Sequence, residues 1–254
     1  TYRLYKTVIN PWYKKTLLIT TGFHGEEFNG PISLLNIMDE AAAFAKTWHV
    51  RLIDYICINP SGFELHERYN ASDKGPNNYF MLYGISGGTK KVGILKKDEI
   101  YSTTDRVESP AKEVRFLQKD IYENYFYPVP YGVLDIHQQE GYLKTGEVFA
   151  YIFNRRPVYQ RIMKKLEKIA KIAKNDRTYT FDCGRKIFYK IDEDGFVFLN
   201  DGSITDMFYR YGSKYAVAAE TKTTLPLEKV SAINLVWIKE LIKLIARDTE
   251  RKKR

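Results

Sequence analysis

Short apolar runs alternate with amphipathic stretches along the chain, and this alternation predicts an α/β fold. The predicted strands are Thr16–Thr21, Val50–Ile58, Gly132–His137, Val148–Phe153 and Lys214–Ala219. Helical spacing of apolar residues predicts helices that begin at Pro31, run from Ser109 to about Glu123, and cover Pro157–Lys174, Ser203 to about Tyr211, and Leu227–Arg247. Residues 59–93 and 176–202 lack periodicity and are predicted to be long loops.

The length and uniform composition of the chain indicate its domain organisation. The chain has 254 residues, which is enough for a sizeable core without disulfide staples. It contains no internal repeat, no low-complexity linker and no break in composition. We therefore expect one domain over residues 1–254. No apolar run reaches the roughly 18 residues of a membrane-spanning helix, so no membrane span is predicted.

The net charge and the cysteine content exclude few classes of protein. Forty basic and 31 acidic residues give a net charge of +9. Much of the excess lies at the terminal Arg251–Arg254 and on the predicted helix Pro157–Lys174, which is typical of a solvated face, so no nucleic-acid partner is predicted. The two cysteines, Cys57 and Cys183, form no framework, and Cys57 in its apolar run is predicted to be a buried thiol.

Candidate chemistry begins directly after the first strand, where the chain reads Gly-Phe-His24-Gly-Glu-Glu27. Side chains that follow a strand in an open α/β sheet converge on ligands. An imidazole and a carboxylate three residues apart can both reach one Zn²⁺ ion. Taken alone, this spacing is more typical of a capped turn with solvated carboxylates.

Three further residues occupy comparable positions. His137 and Glu220 each end an apolar strand, and Arg68 lies in the loop after the second strand. Burial at a strand end raises the pKa of a carboxyl group toward the range useful for a general base, although Glu220 could simply pair with Lys222. An arginine held in such a loop can polarise a carbonyl or bind a carboxylate. Each residue also has an ordinary interpretation as a turn or surface residue.

The order of these motifs carries more information than any one of them. In chain order they are H-x-x-E after the first strand, N-P-x-G-F after the second, R-Y-N, N-x-x-F, an apolar strand ending in His, and a later strand ending in Glu. This series resembles the zinc carboxypeptidase family, which includes pancreatic carboxypeptidases, murein peptide amidases and deacylases of the aspartoacylase type. The resemblance covers about Leu17 to Leu244, and it implies a three-layer α/β sandwich in which helices flank a mixed central sheet.

The resemblance implies a role for each matching residue. His24, Glu27 and His137 match the family's three zinc ligands, so one Zn²⁺ per chain is expected. Glu220 matches the general base, and Arg68 matches the arginine that polarises the scissile carbonyl. The family's substrate-capping tyrosine cannot be placed among 20 tyrosines, of which Tyr189 is one candidate.

One position departs from the family. Asn77 matches an asparagine that helps to hold the substrate carboxylate, but the next residue is Asn78 where the family has an arginine. A neutral amide cannot replace a bidentate ionic pair. Either another arginine anchors the carboxylate or the substrate is not an ordinary peptide C-terminus. The candidate replacements are Arg106, Arg155, Arg156 and Arg185.

Three functions remain open at this point. The preferred one is a zinc metallopeptidase of carboxypeptidase type that hydrolyses an amide bond near the C-terminus of a peptide, such as a cell-wall peptide. The second is a zinc-dependent deacylase of a small N-acyl amino acid. The third is a member of the fold that binds a ligand without catalysis.

Overall fold

The computed structural model describes residues 2–85, 88–92, 101–141, 143–175, 177–180, 186–198 and 200–248. Its helices are α1 (Asn29–Thr47), α2 (Pro60–Leu65), α3 (Lys112–Asn124), α4 (Arg156–Leu166), α5 (Ile204–Arg210) and α6 (Leu227–Arg247). Its strands are β1 (Tyr5–Ile9), β2 (Thr16–Thr21), β3 (Arg51–Ile56), β4 (Met81–Ile85), β5 (Lys90–Val92), β6 (Tyr101–Arg106), β7 (Gly132–Gln139), β8 (Glu147–Ile152), β9 (Lys171–Ile172), β10 (Arg177–Thr180), β11 (Lys186–Tyr189), β12 (Phe196–Val197) and β13 (Tyr215–Lys222).

A mixed sheet forms the centre of the fold. Its strands follow the order β1-β3-β2-β7-β13-β8-β12, and β9 pairs with β8. The neighbours β3, β2, β7 and β13 run parallel, whereas β1 is antiparallel to β3 and β8 is antiparallel to β13. The parallel strands place their carboxyl ends along one edge. The candidate residues lie at this edge: His24 and Glu27 follow β2, whereas His137 and Glu220 lie near the ends of β7 and β13.

Helices cover both faces of this sheet. On strand β2, Leu17 and Ile19 belong to a core cluster that includes residues of α1, α4 and α6. The intervening Leu18 belongs to a second cluster, which includes residues of α3 and α5. Because both faces of β2 are buried, its sequence is almost continuously apolar. The predicted three-layer α/β sandwich is confirmed.

The two segments predicted to be long loops contain regular structure. Within residues 59–93 the chain forms α2, β4 and β5, and β4 pairs with both β5 and β6 in a small antiparallel sheet. Within residues 176–202 it forms the pair β10–β11 and the short β12. The loop predictions were wrong because each of these strands is short and pairs locally, which leaves no long apolar period in the sequence.

Three other predictions also need correction. Helix α4 ends at Leu166, although the basic amphipathic pattern continues to Lys174, because the chain leaves the helix to pair β9 with β8. The edge strand β1 was not predicted. Cys57 is only partly buried, immediately after β3, and Cys183 lies outside the described residues.

Candidate metal centre and active site

Three side chains of the metal-ligand type meet at the carboxyl edge of the central sheet. His24 Nδ1 lies 2.7 Å from Glu27 Oε1, and His137 Nδ1 lies 2.9 Å from Glu27 Oε2. One potential ligand atom from each residue falls within 4.8 Å of the other two, and all three residues are buried. Among the described residues, this is the group of histidine, cysteine and carboxylate side chains with the geometry to hold an ion.

The backbone explains why residues more than a hundred positions apart converge. Strand β2 pairs in parallel with β7, and Thr21 is in register with Ile136. The chain then turns at Gly22, whose φ of +71° is unfavourable for residues with a side chain. A side chain at that position would also collide with the backbone of Cys57. This turn returns His24 and Glu27 to the end of β7.

Asp135 is a candidate site residue that the sequence analysis missed. Its Oδ2 lies 2.8 Å from His137 Nε2, and its Oδ1 accepts a hydrogen bond of 2.8 Å from the Thr20 hydroxyl. Alternation along β7 places Asp135 and His137 on the same face, so the spacing D-x-H in a strand was the available signal. A carboxylate on one imidazole nitrogen directs the other nitrogen toward a metal.

The charges of the cluster are strongly coupled. Burial alone would lower the pKa of His137, but the carboxylates of Asp135 and Glu27 hold it well above its usual value. Burial alone would raise the pKa of Glu27, yet the two imidazoles hold it well below its usual range. The pKa of His24 is lowered by burial and by the Arg68 guanidinium. Glu27 is therefore a carboxylate at neutral pH, ready to bind a cation.

Glu220 lies beside this cluster on the neighbouring strand. It is in register with His137 across the parallel pair β7–β13. Its side chain is buried, and Oε2 has no hydrogen-bond partner among the described residues. Burial raises the pKa of Glu220 to about 8, an effect that the His137 charge partly offsets. The predicted alternative, a pair with Lys222, is not the arrangement seen, because the Lys222 ammonium donates to the backbone carbonyl of Glu140.

Arg68 also reaches this edge of the sheet. Its Nη1 donates a 2.8 Å hydrogen bond to Glu26 Oε1 and lies 3.8 Å from Glu27 Oε1. Burial by itself lowers the pKa of Arg68, but the carboxylates of Glu27, Glu26 and Glu220 outweigh it. The guanidinium is therefore a permanent positive charge next to the histidine and glutamate cluster.

The two asparagines of the family's anchoring position differ in their contacts. Asn78 Nδ2 donates a 3.1 Å hydrogen bond to the backbone carbonyl of Asp201. Asn77 Oδ1 is buried without a hydrogen-bond partner among the described residues. Each Asn side chain offers donors and acceptors but no charge, as the sequence indicated.

The candidate replacement arginines are engaged elsewhere. Arg106 lies over the rings of Tyr122 and Phe126. Arg155 lies over the ring of Tyr215, at the start of β13. That position is five residues from Glu220, or roughly 17 Å along an extended strand.

Of the remaining two candidates, only Arg156 lies within the described residues. It forms ion pairs with Asp192 and Asp194 in the turn before β12. Arg185 and the side chain of Tyr189 lie outside the described residues. The contacts of Arg106, Arg155 and Arg156 within the described part of the chain are therefore with residues other than Asn77 and Asn78.

The residues present fit a bound metal. Structural and catalytic Zn²⁺ sites use imidazole nitrogens and carboxylate oxygens at about 2.0–2.2 Å, and catalytic sites keep three protein ligands. His24, Glu27 and His137 supply such a set, and Asp135 holds the second nitrogen of His137. The Glu27 carboxylate bridges the two imidazoles, with one oxygen toward each ring.

Comparisons with known proteins bear on the fold. No protein-family model and no curated protein sequence matches the chain. A protein from Shewanella denitrificans, assigned as a metallopeptidase, is similar with a TM-score of 0.66 and 21% identity, over 92% of this chain and 76% of that one. Bovine thrombin-activatable fibrinolysis inhibitor, solved in complex with tick carboxypeptidase inhibitor, is similar with a TM-score of 0.64 and 14% identity, over 98% of this chain and 87% of that one. A succinylglutamate desuccinylase from Silicibacter sp. is similar with a TM-score of 0.51 and 17% identity, over 94% of this chain and 59% of that one.

These similarities define the class of the fold. The chain has the α/β sandwich fold of carboxypeptidase-like proteins, which the succinylglutamate desuccinylase shares, as its motif order implied. Within the described residues, no helix is both long and apolar enough to span a membrane.

Proposed function

We propose that the chain is a zinc-dependent hydrolase that cleaves an amide bond near the C-terminus of a peptide. The observation that carries this proposal is the convergence of His24, Glu27 and His137 beside Glu220 on the next strand. Three ligands of this type leave an open position on a metal, which distinguishes a catalytic site from a closed structural one. A Zn²⁺ ion there would supply Lewis acidity and make water a stronger nucleophile near neutral pH.

Glu220 is suited to the role of general base. Its Oε2 is buried and free of hydrogen-bond partners within the described residues, so it is available to accept a proton from an attacking water. Burial raises the pKa of Glu220 to about 8, and a cation bound beside it would lower that pKa, so the carboxylate form that accepts a proton would be favoured with zinc in place.

Arg68 is suited to stabilise negative charge. The guanidinium is fixed by Glu26 next to Glu27, one of the candidate ligands. A preorganised cation at that distance favours a carbonyl oxygen that becomes negative as water adds. Arg68 therefore has the position and charge for the polarising role that the resemblance implies.

The anchoring position limits the substrate. Asn77 and Asn78 provide amides where the family has an ionic anchor, and Arg106, Arg155 and Arg156 are engaged elsewhere. We therefore expect the substrate to present hydrogen-bonding groups rather than a lone terminal carboxylate at this position, as in an unusual peptide such as a cell-wall peptide. The net charge of +9 favours anionic substrates through long-range steering only.

A second candidate function uses the same candidate ligands and base. A deacylase of a small N-acyl amino acid would release an amino acid as a carboxypeptidase does, but from a different acyl group. The similarity of the fold to a succinylglutamate desuccinylase is the observation that supports it.

Metal analysis and a substrate panel test the proposal. Purified protein should bind one equivalent of zinc, and the zinc-loaded form should hydrolyse members of a panel of C-terminal peptides, muramyl-type peptides and N-acyl amino acids. Turnover of peptides supports the first function, and turnover of acylated amino acids alone supports the second. Metal binding without turnover of any panel member would favour the ligand-binding interpretation, and failure to bind zinc would contradict all catalytic versions.

A further inference from the structure

Glu26 separates the two candidate ligands of the H-x-x-E segment but does not join their cluster. Its Oε1 instead accepts the 2.8 Å hydrogen bond from Arg68 Nη1. The same guanidinium nitrogen lies 3.8 Å from Glu27 Oε1, which is an ion-pair distance but not a hydrogen bond. Arg68 is therefore hydrogen-bonded to Glu26 while it remains adjacent to Glu27.

The backbones of the two partners are fixed against each other. The Gly25 N–H donates to the Arg68 carbonyl at 3.4 Å, and Asn59 Nδ2 donates to the same carbonyl at 3.3 Å. A side chain at Gly25 would come within 2.0 Å of the Gly62 carbonyl carbon, so the two loops are packed as closely as glycine allows. The backbone positions of Glu26 and Arg68 are thus fixed by contacts between their loops, independently of the hydrogen bond between their side chains.

Three carboxylates compete for the Arg68 guanidinium. Those of Glu27, Glu26 and Glu220 all act on it electrostatically. If Glu26 were removed, Glu27 would be the nearest remaining carboxylate in the described residues, and a guanidinium bound to Glu27 would occupy an oxygen that the metal needs. The Arg68 side chain is 40% exposed and that of Glu26 is 25% exposed, so their pair adds little to folding stability. Its main consequence is the direction in which the guanidinium points.

We propose that Glu26 is a positioning residue that holds the Arg68 guanidinium beside Glu27 and prevents it from hydrogen-bonding to that ligand. The effect of this positioning on turnover rests on the proposed function of Arg68. The hydrogen bond itself does not, so the two can be tested separately.

The hydrogen bond can be tested without any substrate. In zinc-loaded protein labelled with ¹⁵N-arginine, restricted rotation of a hydrogen-bonded guanidinium should give resolved Nη–Hη signals for Arg68, assigned by their loss in Arg68→Lys. Glu26→Ala should abolish these signals or move them to new chemical shifts as the guanidinium turns to Glu27, and Glu26→Gln, which keeps an acceptor oxygen, should retain them near their wild-type shifts. The matched control is Glu67→Gln, an exposed carboxylate next to Arg68 in sequence, which should have no effect. Resolved signals at wild-type chemical shifts in Glu26→Ala would overturn the proposal.

The consequence for turnover can be measured by a double-mutant cycle on any substrate that the panel identifies. Glu26→Ala should lower kcat roughly two- to fivefold without change in KM, as expected for a partly exposed charged hydrogen bond, and should weaken zinc binding because the freed guanidinium can pair with Glu27. Glu26→Gln should recover part of this loss. In an Arg68→Ala background, Glu26→Ala should have no further effect, since the residue acts through Arg68.

The outcomes separate the two proposals. Additive losses in the cycle, or a Gln variant as poor as the Ala variant, would overturn the positioning role of Glu26. An Arg68→Ala variant with wild-type turnover would instead contradict the proposed function of Arg68, and the ¹⁵N signals would still decide whether Glu26 holds the guanidinium.

Discussion

Glu220 and His137 occupy register-paired positions on adjacent parallel strands, so their side chains leave the same face of the sheet at its carboxyl edge. Residues that are 83 positions apart in sequence are thereby held side by side by backbone hydrogen bonds. Because neither residue depends on a loop for its placement, the candidate base and one candidate ligand share a rigid support. The geometry of a hydrolytic site built here would therefore resist small changes elsewhere in the chain.

The first prediction concerns the metal ligands. His24→Ala and His137→Ala should each reduce bound zinc from about one equivalent to below a tenth, because two remaining ligands leave the ion largely to water. Elemental analysis after dialysis against trace zinc measures this. His66→Ala is the matched control, since His66 is exposed and contacts the Phe28 ring. Full zinc content in either ligand variant would argue against the site.

The second prediction separates the base from the ligands. Glu220→Gln should keep the zinc and lose nearly all turnover, because the amide cannot accept a proton from water. A loss of about 10²–10⁴-fold is expected for general-base catalysis. Glu228→Gln, an exposed carboxylate in the first turn of α6, controls for the loss of one charge. If Glu220→Gln turns over near the wild-type rate, Glu220 has a structural role only.

The third prediction concerns the partner of His137. Asp135→Ala should weaken zinc binding about 10–100-fold, because the imidazole loses the carboxylate that orients it. Asp135→Asn should have a smaller effect, since an acceptor oxygen remains at the same place. Competition with a chromophoric chelator measures both affinities. Unchanged affinity in the Ala variant would mean that Thr20 and Asp135 serve packing alone.

The sequence predicted more of the candidate site than of the fold details around it. Four candidate residues each follow or end a predicted apolar strand, and parallel strands bring such positions to one edge. They are His24, Glu27, His137 and Glu220. Asp135 was missed because it lies inside an apolar strand rather than at its end, although the strand period places it on the same face as His137.

Pairing between strands that are distant in sequence explains the parts of the fold that the sequence pattern did not predict. Strand β1 is short and half exposed, and it exists because it pairs with β3 more than 40 residues later. Helix α4 was predicted too long because Lys168, Lys171 and Lys174 continue a helical polar face. The pairing of β9 with β8 overrides that local pattern, and no local signal reports it.

The fourth prediction concerns stability. Asp54 on β3 is fully buried, and neither carboxylate oxygen has a hydrogen-bond partner among the described residues. Burial raises its pKa to about 8. The folded protein therefore binds the Asp54 proton more tightly than the unfolded chain, and the free energy of unfolding should fall as pH rises from about 4 to 8.

Two substitutions test this account of Asp54. Asp54→Asn should remove the part of the pH dependence that comes from this group. Asp54→Val should in addition raise the free energy of unfolding at pH 7 by about 2 kcal/mol or more, because an unpaired polar group leaves the core. Urea unfolding of the three proteins between pH 4 and 8 gives the comparison. Parallel pH profiles for wild type and Asp54→Asn would show that a partner satisfies the carboxyl group.

The last prediction addresses the departure at Asn78. An arginine–carboxylate hydrogen bond contributes on the order of 1.5–3 kcal/mol, so its absence should cost about 10–150-fold in binding of a free C-terminus. We therefore expect low activity on blocked dipeptides with a free C-terminus, and a gain on these substrates in Asn78→Arg. The Asn78 amide already points at the backbone carbonyl of Asp201, so Asn78→Ala serves as the control for loss of that hydrogen bond. The comparison uses peptides with a free and an amidated C-terminus, together with muramyl-type peptides. A gain for Asn78→Arg confined to the free C-terminus would locate the anchor at this position. High wild-type activity on ordinary free peptides would mean that another residue binds the carboxylate and that Asn78 does not determine specificity.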